Sequence, residues 1–359
     1  MKTIKPNVLQ YMMKGLKKYI TLEHLDIPVW STRTEVYLGD GVYEPGYDAE
    51  GTLSLGDTWE ACYDCARRFN ASVRIPQSLA GQKLCLEIDF GGEALVKVNG
   101  EIAGAVSSGW VNRDRIFFDA PTAGEVFDIE LEYAVDAGSF CDAAMEGEKF
   151  VTYTLCTARL VAIDPVCEGY DFDVNVAWQA IDLIKDDYIK ARVYEALDES
   201  LHTVDFDFED ARVRKSIKKA ADVLHDKLAK IKYLPQSEVV MTGHSHIDIA
   251  WLWRVQESER KTARTFSNNL ALMDKYPEFI FAQSQAILYE RTQKLYPELY
   301  ERLKEKVKNG QWDIVGNVWV EADTNVASGE ALIRQLLYGR EFFQKEFGVV
   351  SDTYWLPDC

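Results

Sequence analysis

The stretch that decides the fold is GHSHIDIAWLW, residues 243–253. It follows the short apolar run SEVVMT, so we expect it at the carboxyl end of a β-strand. Along an extended strand, residues i and i+2 point to the same side, which allows His244, His246 and Asp248 to face one way. Imidazole nitrogen together with carboxylate oxygen suits a divalent ion of the zinc class. Buried histidine pairs also serve as hydrogen-bonded core residues, and this stretch alone leaves both interpretations open.

The segment after this stretch alternates between strands and helices. FIFAQSQ (279–285), WDIVGNVWVEA (312–322) and TYWLPD (353–358) have the pattern of strands, and the regions around 254–275, 286–308 and 329–346 have helical spacing. The alternation predicts a parallel α/β sheet or barrel, a fold whose chemistry lies at the carboxyl ends of the strands. The polar residues predicted at those ends are His244, His246, Asp248, Gln283, Gln285, Glu321, Asp323 and Asp358.

Several of these side chains have structural roles as alternatives to functional ones. Trp251, just beyond the opening stretch, is either core or an exposed stacking platform for a sugar. Gln283 and Gln285 are either donors in a site or caps of the following helix. Asp323 is a nucleophile, a metal ligand or a helix cap, but Ser328 lies nearer the next helical run and is the better N-cap.

The region upstream divides into a β-rich and a helical part. Residues 30–165 contain short alternating runs, including KLCLEIDFGG (83–92), VFDIELEYAV (126–135) and FVTYTLCTARLVAI (150–163), and Asn99-Gly100 predicts a tight hairpin. We therefore predict a multidomain chain. Residues 1–168 form a mainly β, sandwich-like domain, residues 169–235 a helical linker with helices at 174–199 and 208–232, and residues 236–359 an α/β domain that begins near Pro235.

The composition of the chain bears on its partners, its location and the state of its cysteines. The 359 residues carry a net charge of −18, which disfavours nucleic acid and anionic membranes as partners. The sequence contains no run of about 18 apolar residues, so it predicts no membrane span. The basic N-terminus lacks the apolar core of a signal peptide. We therefore expect a cytoplasmic protein. Cys62 and Cys65 form the only C-x-x-C among seven cysteines, and we expect structural or free thiols there.

Taken together, GHSHIDIAWLW, QSQ followed by LYE, GQWDIVGNVWVEADTNVASGE and YWLPD resemble glycoside hydrolase family 38, the α-mannosidases. The order and spacing of these motifs are similar across residues 238–359. The β-rich and helical region before them resembles, more loosely, the leading portion of the cytosolic or bacterial branch of that family, whose β domain is galactose-binding-like.

The resemblance implies a retaining α-mannosidase with one zinc ion per full-length subunit, acting on α-mannoside glycans. It implies that His246, Asp248 and Asp323 bind the zinc, that Asp323 is also the catalytic nucleophile, and that Trp251 contacts the sugar. It also implies that His244 lies beside the metal ligands without binding the metal, and it leaves the roles of Gln285 and Asp358 open. A homo-oligomer is possible.

The resemblance also implies that family members continue well beyond residue 359. A further zinc-ligand histidine and the acid/base carboxylate are expected after the WLPD motif, and no histidine follows His246 in this sequence. We therefore expect an incomplete barrel, an N-terminal fragment with weak or absent zinc binding and little activity alone, because leaving-group protonation contributes about 10²–10⁴-fold.

Two other functions remain open. One is a different zinc hydrolase of barrel type, such as a deacetylase or amidohydrolase, which uses metal-bound water as its nucleophile. The other is a carbohydrate-binding or assembly module without catalysis, in which residues 30–165 bind sugar.

Overall fold

Strands between residues 21 and 163 form two antiparallel sheets that share one core. The structure is a computed structural model that describes residues 6–48, 50–107, 116–232 and 238–358. The strands are β1 (Thr21–Asp26), β2 (Val29–Gly39), β3 (Val42–Pro45), β4 (Gly51–Ser54), β5 (Thr58–Ala61), β6 (Cys65–Arg74), β7 (Leu84–Asp89), β8 (Glu93–Val98), β9 (Glu101–Ser107), β10 (Ile116–Phe118), β11 (Val126–Ala134), β12 (Val151–Thr154) and β13 (Thr157–Ile163).

The two sheets differ in size but bury a common apolar interior. The smaller sheet has the order β1-β13-β7-β10, the larger has the order β3-β2-β6-β11-β8-β9 with β4 beside β2, and β5 pairs with β12. Leu86 and Leu160 of the smaller sheet lie in the same buried cluster as Phe69, Val96 and Leu131 of the larger one. This confirms the prediction of a β-rich region, and its two layers are arranged as in a sandwich.

Two short motifs of the β region have defined conformations. Asn99 and Gly100 join β8 to β9 with φ angles of 52° and 85°, which is the left-handed backbone that a tight hairpin requires. The predicted hairpin is therefore confirmed. Cys62 and Cys65, expected as structural or free thiols, form a disulfide in the connection between β5 and β6.

Four helices build a second core. They are α1 (Pro6–Leu16), α3 (Pro165–Leu183), α4 (Asp187–His202) and α5 (Asp210–Ala229), while α2 (Ala137–Met145) lies between β11 and β12. Leu9 and Leu16 of α1 are buried with Val174, Leu197 and Ile217 of the other three helices. Residues 6–16 of the basic N-terminal segment thus form an amphipathic helix that packs on the helical region.

The single helix predicted over 174–199 is wrong, because two helices occupy this region. Asp186 has extended backbone, and its carboxylate accepts hydrogen bonds from the backbone N–H groups of Tyr188 and Ile189 at 2.9 and 3.0 Å. This N-cap begins α4 and separates it from α3. The helix predicted over 208–232 is confirmed as α5. The proposed boundary at Pro235 lies outside the described residues.

The third part of the chain is a parallel sheet with helices after each strand. Its elements are β14 (Gly243–His244), α6 (Val255–Lys275), β15 (Phe281–Gln283), α7 (Ala286–Leu295), α8 (Pro297–Lys308), β16 (Trp312–Ile314) and α9 (Gly329–Phe347). The sheet order is β14-β15-β16, with Gly243 opposite Phe281 and Phe281 opposite Trp312. The strand–helix alternation expected from the sequence is therefore confirmed for three strands.

Two details of this part differ from the sequence-based expectation. The helix predicted over 286–308 is two helices, because Pro297 occupies the first turn of α8 and cannot continue α7. The TYWLPD run is not a strand. Thr353 accepts one backbone hydrogen bond from Gly316 at 3.0 Å, and Pro357 has no N–H with which to extend a ladder.

Helix α6 joins the third part to the larger β-sheet. Arg260 is buried and donates to Glu132 of β11 at 2.9 Å, and Lys261 and Arg264 both contact Glu93 of β8. Because α6 begins directly after the GHSHIDIAWLW stretch, these contacts fix the position of the helix that follows this stretch. In the parts of the chain that the structure describes, no helix has the length and apolar character needed to cross a membrane.

Candidate metal and sugar site

His246 lies at the centre of a group of carboxylates beyond the carboxyl end of β14. Its Nε2 atom is 3.1 Å from Asp248 Oδ1 and 3.6 Å from Asp358 Oδ2, and its Nδ1 atom is 2.6 Å from Glu321 Oε2. Burial lowers the pKa of His246, but the hydrogen bonds to Asp248 and Glu321 outweigh it and hold that pKa above its usual value. The surroundings of the ring therefore favour positive charge.

The side chains of His246, Asp248 and Asp358 offer ligand atoms that all lie within 4.8 Å of one another. Two ligands of a tetrahedral zinc ion, bound at about 2.1 Å, are about 3.4 Å apart. The two His246 Nε2 distances bracket that value, and one imidazole with carboxylates is a donor set that zinc accepts. The residues present therefore fit a zinc ion on the Nε2 side of His246.

Glu321 is a residue of the site whose role the sequence motifs do not predict. Its side chain is only 4% exposed, and its carboxylate contacts His246 on one oxygen and the hydroxyl of Ser284 on the other. Its position at a predicted strand end, close to Asp323, is the signal in the sequence that points to it. Sequence reasoning favoured the second carboxylate of this segment and not the first.

Gln285 connects the three loops that follow the strands. Its side-chain N–H donates to the carbonyl of Ile247 at 2.8 Å, and its side-chain oxygen accepts from the backbone N–H of Glu321 at 3.3 Å. Its backbone is left-handed, with a φ of 64°, and its side chain makes no capping bond to α7. Gln285 therefore holds the loops together, whereas Gln283 is fully buried and its amide has no hydrogen-bonding partner among the described residues.

His244 is oriented away from metal binding by two hydrogen bonds. Its Nδ1 lies 2.8 Å from the carbonyl oxygen of Ala282, and the indole N–H of Trp355 donates to its Nε2 at 3.2 Å. A carbonyl only accepts and an indole N–H only donates, so His244 is the neutral tautomer with its proton on Nδ1. With both nitrogens engaged, His244 links β14, β15 and the 353–358 segment.

The Trp251–Trp253 loop leaves one indole exposed and uses the other to hold the loop. Trp251 is 64% exposed and meets Trp253 edge-on, with ring centroids 5.5 Å apart. The indole N–H of Trp253 donates to the backbone carbonyl of Asp248 at 3.2 Å, and the Ser258 hydroxyl donates to the same carbonyl at 3.0 Å. The backbone at Asp248 is thus fixed by the first turn of α6.

Asp323 lies in the exposed turn between β16 and α9. Its Oδ1 accepts from the backbone N–H of Asn325 at 2.8 Å, and its carbonyl accepts from that of Ala327 at 2.9 Å. Ser328, and not Asp323, caps α9 by accepting from the N–H of Ala331 at 3.2 Å, which confirms that prediction. The group of ligand atoms described above includes Asp358 but does not include Asp323. The metal and nucleophile roles of Asp323 stay predictions.

Comparison with known proteins places this site within a recognised sequence domain. Residues 236–359 match the family model described as the glycosyl hydrolases family 38 N-terminal domain. Alpha-mannosidase G of Dictyostelium discoideum is 52% identical over 123 residues, which are 34% of this chain and 11% of that protein. Alpha-mannosidase 2C1 of Mus musculus is 32% identical over 314 residues, 85% of this chain and 29% of that protein.

The matched region is therefore a minor part of each relative. Alpha-mannosidase 2C1 of Homo sapiens is 50% identical over 123 residues, 34% of this chain and 12% of its own length. Among solved structures, a β-glucuronidase from Ruminococcus gnavus is 10% identical with a TM-score of 0.27, covering 40% of this chain and 30% of that one. A likeness of that size assigns neither fold nor function.

Proposed function

We infer that this chain, which belongs to glycoside hydrolase family 38 through residues 236–359, supports a retaining, zinc-dependent α-mannosidase activity on terminal α-mannosyl residues of glycans. The observation that carries the proposal is the group of His246, Asp248 and Asp358, which lies within the matched residues and beyond the carboxyl ends of parallel strands. Parallel α/β folds bind their ligands at that edge.

The proposed metal site uses residues from two places in the chain. His246 and Asp248 would hold the ion from the loop after β14, and Asp358 is the further carboxylate that faces His246 Nε2, at 3.6 Å. Asp323 remains a proposed ligand from the family resemblance. When bound, zinc would supply a template for the 2- and 3-hydroxyls of the mannose ring and would stabilise charge on the substrate.

The proposed chemistry at the sugar depends on Asp323. In a retaining hydrolysis, a carboxylate oxygen attacks the anomeric carbon, the glycosidic bond breaks, and the departing oxygen takes a proton from a second residue. Water then cleaves the glycosyl-enzyme ester. Asp323 is exposed, and its hydrogen bond from the Asn325 N–H orients one carboxylate oxygen. The exposed indole of Trp251 offers an apolar face against which a pyranose ring can pack.

Three broader features belong to the same proposal. The β14-β15-β16 sheet would be the start of an α/β barrel. Val240 and Met241 beside β14, and Ile333 and Leu337 on α9, are exposed apolar side chains that support self-association into a homo-oligomer. The resemblance to the cytosolic branch supports a cytoplasmic location. Sedimentation analysis and cell fractionation test the last two features.

Zinc binding tests the metal site directly. Calorimetric titration with zinc should show one weak site per chain, and His246→Ala or Asp248→Asn should weaken the affinity by at least 10-fold, because each removes a ligand. His24→Ala is the matched control, since His24 is an exposed histidine of β1 whose loss should leave the affinity unchanged. Zinc binding that survives both site variants, or that His24→Ala removes, would contradict the proposal.

A further inference from the structure

We propose that Glu321 is the positioning residue that orients His246 for metal binding, and that Ser284 holds Glu321 in place. This inference rests on the proposed zinc site but concerns residues to which neither the sequence motifs nor the family resemblance gives a role. It starts from the contact of 2.6 Å between Glu321 Oε2 and His246 Nδ1.

The contact with Glu321 keeps a proton on Nδ1 of His246. An ionised carboxylate only accepts hydrogen bonds, so Nδ1 must be the donor. Nε2 faces Asp248 and Asp358 at 3.1 and 3.6 Å, so it also donates to a carboxylate in the metal-free chain. A metal ion would replace the proton on Nε2, while Glu321 keeps the proton on Nδ1. Without Glu321, the competing tautomer would place a proton where the metal has to bind.

Glu321 is itself held in a single position. Its side chain is almost fully buried, its second carboxylate oxygen accepts a hydrogen bond from the Ser284 hydroxyl, and its backbone N–H donates to Gln285 at 3.3 Å. Ser284 is fully buried and directly follows β15. The Glu321 carboxylate is therefore held by residues that follow β15 and β16, whereas the His246 imidazole that it orients follows β14.

The same geometry excludes Glu321 from binding the metal together with the other carboxylates. It contacts the Nδ1 edge of the His246 ring, whereas Asp248 and Asp358 lie at the Nε2 edge. A carboxylate on the far edge of a metal-bound imidazole raises the basicity of the ring and restrains its rotation. Loss of such a partner costs about 10–100-fold in metal affinity.

Zinc affinity, measured at pH 8 by competition with a chromophoric chelator, tests the inference. Glu321→Ala should weaken zinc binding by about 10–100-fold. Glu321→Gln should recover part of the loss, because its amide oxygen still accepts from Nδ1, and Ser284→Ala should give a smaller loss. Glu330→Ala is the matched control, since Glu330 is an exposed glutamate in the first turn of α9 that pairs only with Arg334 among the described residues.

A second readout separates orientation of the ring from a general structural effect. The ¹⁵N shifts of the neutral His246 ring in the metal-free chain should report the proton mainly on Nδ1 in the unsubstituted chain, because the Glu321 contact is shorter than the Asp248 contact (2.6 against 3.1 Å). In Glu321→Ala, Asp248 is the remaining acceptor, so the proton should lie mainly on Nε2. Should that variant fail to fold by circular dichroism, Glu321→Gln and Ser284→Ala decide the question with the same two readouts.

The outcomes distinguish this inference from the function on which it rests. If the unsubstituted chain takes up no zinc, the proposed function fails and the inference fails with it. If it binds zinc, but the folded Glu321 variants bind within 3-fold of it and keep the same tautomer, only the inference is overturned.

Discussion

At the scale of single residues, one imidazole organises the candidate site. His246 contacts Glu321 on one nitrogen and faces two aspartates on the other. The carboxylates raise its pKa against the effect of burial, so the site favours positive charge even without a bound ion. The negative charge of these carboxylates also attracts a divalent cation, which would replace the proton on Nε2 of His246.

Trp251 should contribute to sugar binding and hardly at all to stability, because its indole is mostly exposed. Trp251→Ala should weaken the binding of a mannose-configured iminosugar by about 10-fold, a value typical of one lost aromatic contact. Trp251→Phe, which keeps an aromatic face, should lose less. Calorimetry measures both affinities. Unchanged iminosugar affinity in Trp251→Ala would mean that this indole does not contact the sugar.

Gln283 should be replaceable by an apolar residue of similar size. Its buried side-chain amide has no hydrogen-bonding partner among the described residues. Gln283→Met removes this desolvated polar group, so the free energy of unfolding should stay unchanged or rise by about 1 kcal/mol. Gln285→Met is the contrast, since both polar atoms of Gln285 are bonded and their loss should cost about 1–3 kcal/mol. Equilibrium urea unfolding measures both changes. A large loss in Gln283→Met would mean that a partner, such as an ordered water, satisfies the amide.

At the scale of elements, local side-chain chemistry explains which boundaries the sequence could predict. The Asn99-Gly100 hairpin and the Ser328 cap were predictable, because each depends on one or two residues with a specific backbone preference. The break at Asp186 was missed because helical spacing of apolar residues continues across it. The error at 353–358 has a similar origin, since an apolar run alone does not show whether a neighbouring strand is available for pairing.

The candidate site was predictable only in part for the same kind of reason. His246 and Asp248 are two residues apart, so their proximity follows from local geometry. The approach of Glu321, Ser284 and Asp358 depends on the register of parallel strands and on the path of loops between distant segments, and no short-range pattern specifies these. The family resemblance supplied Asp323, but it gave no role to Glu321.

The cap of α9 offers a test at this scale. Ser328→Ala removes the acceptor for the Ala331 N–H and should destabilise the chain by about 1 kcal/mol. Ser328→Asp keeps an acceptor and adds negative charge near the helix N-terminus, so it should restore that stability. Thermal unfolding compares the stability of the two variants with that of the unsubstituted chain. Equal stability in all three proteins would show that water satisfies this helix end equally well.

At the scale of the whole molecule, charged contacts join the β-sheets to the α/β part. Glu132 lies between Arg68 and Arg260, with a further hydrogen bond from Tyr43 at 2.8 Å. Glu259 accepts from the backbone N–H of Asp40 at 2.8 Å and from Arg291 at 2.7 Å. Since α6 carries the buried Arg260 and Glu259 and also fixes the backbone at Asp248, the β-sheets support the site through this helix.

Acid should weaken this junction. Burial raises the pKa of Glu93, but Arg264 and Lys261 outweigh it and hold the pKa below its usual value of 4.5. A carboxylate with a depressed folded-state pKa stabilises the fold above its unfolded pKa, and that contribution is lost as the pH falls through the folded-state value. The stability of the unsubstituted chain should therefore fall below about pH 4.5, whereas Glu93→Gln should be less stable at pH 7 and less sensitive to acid in that range.

Thermal unfolding between pH 7 and pH 3 measures this difference. Glu23→Gln is a suitable control, because Glu23 is an exposed glutamate of β1 whose carboxylate accepts from the Ser78 hydroxyl and pairs with no Lys or Arg among the described residues. Parallel pH curves for the unsubstituted chain and Glu93→Gln would show that the Glu93 contacts contribute nothing to the junction.

The most direct measurement of the central claim is covalent trapping with 5-fluoro-α-mannosyl fluoride in the presence of zinc, followed by peptide mass spectrometry. Fluoride departs without protonation, so the trap reports on the nucleophile independently of the acid. We predict one mannosyl adduct, on Asp323, and none in Asp323→Asn. A hydrolase with a water nucleophile or a sugar-binding module would form no adduct, and that result, or labelling that persists in Asp323→Asn, would contradict the account.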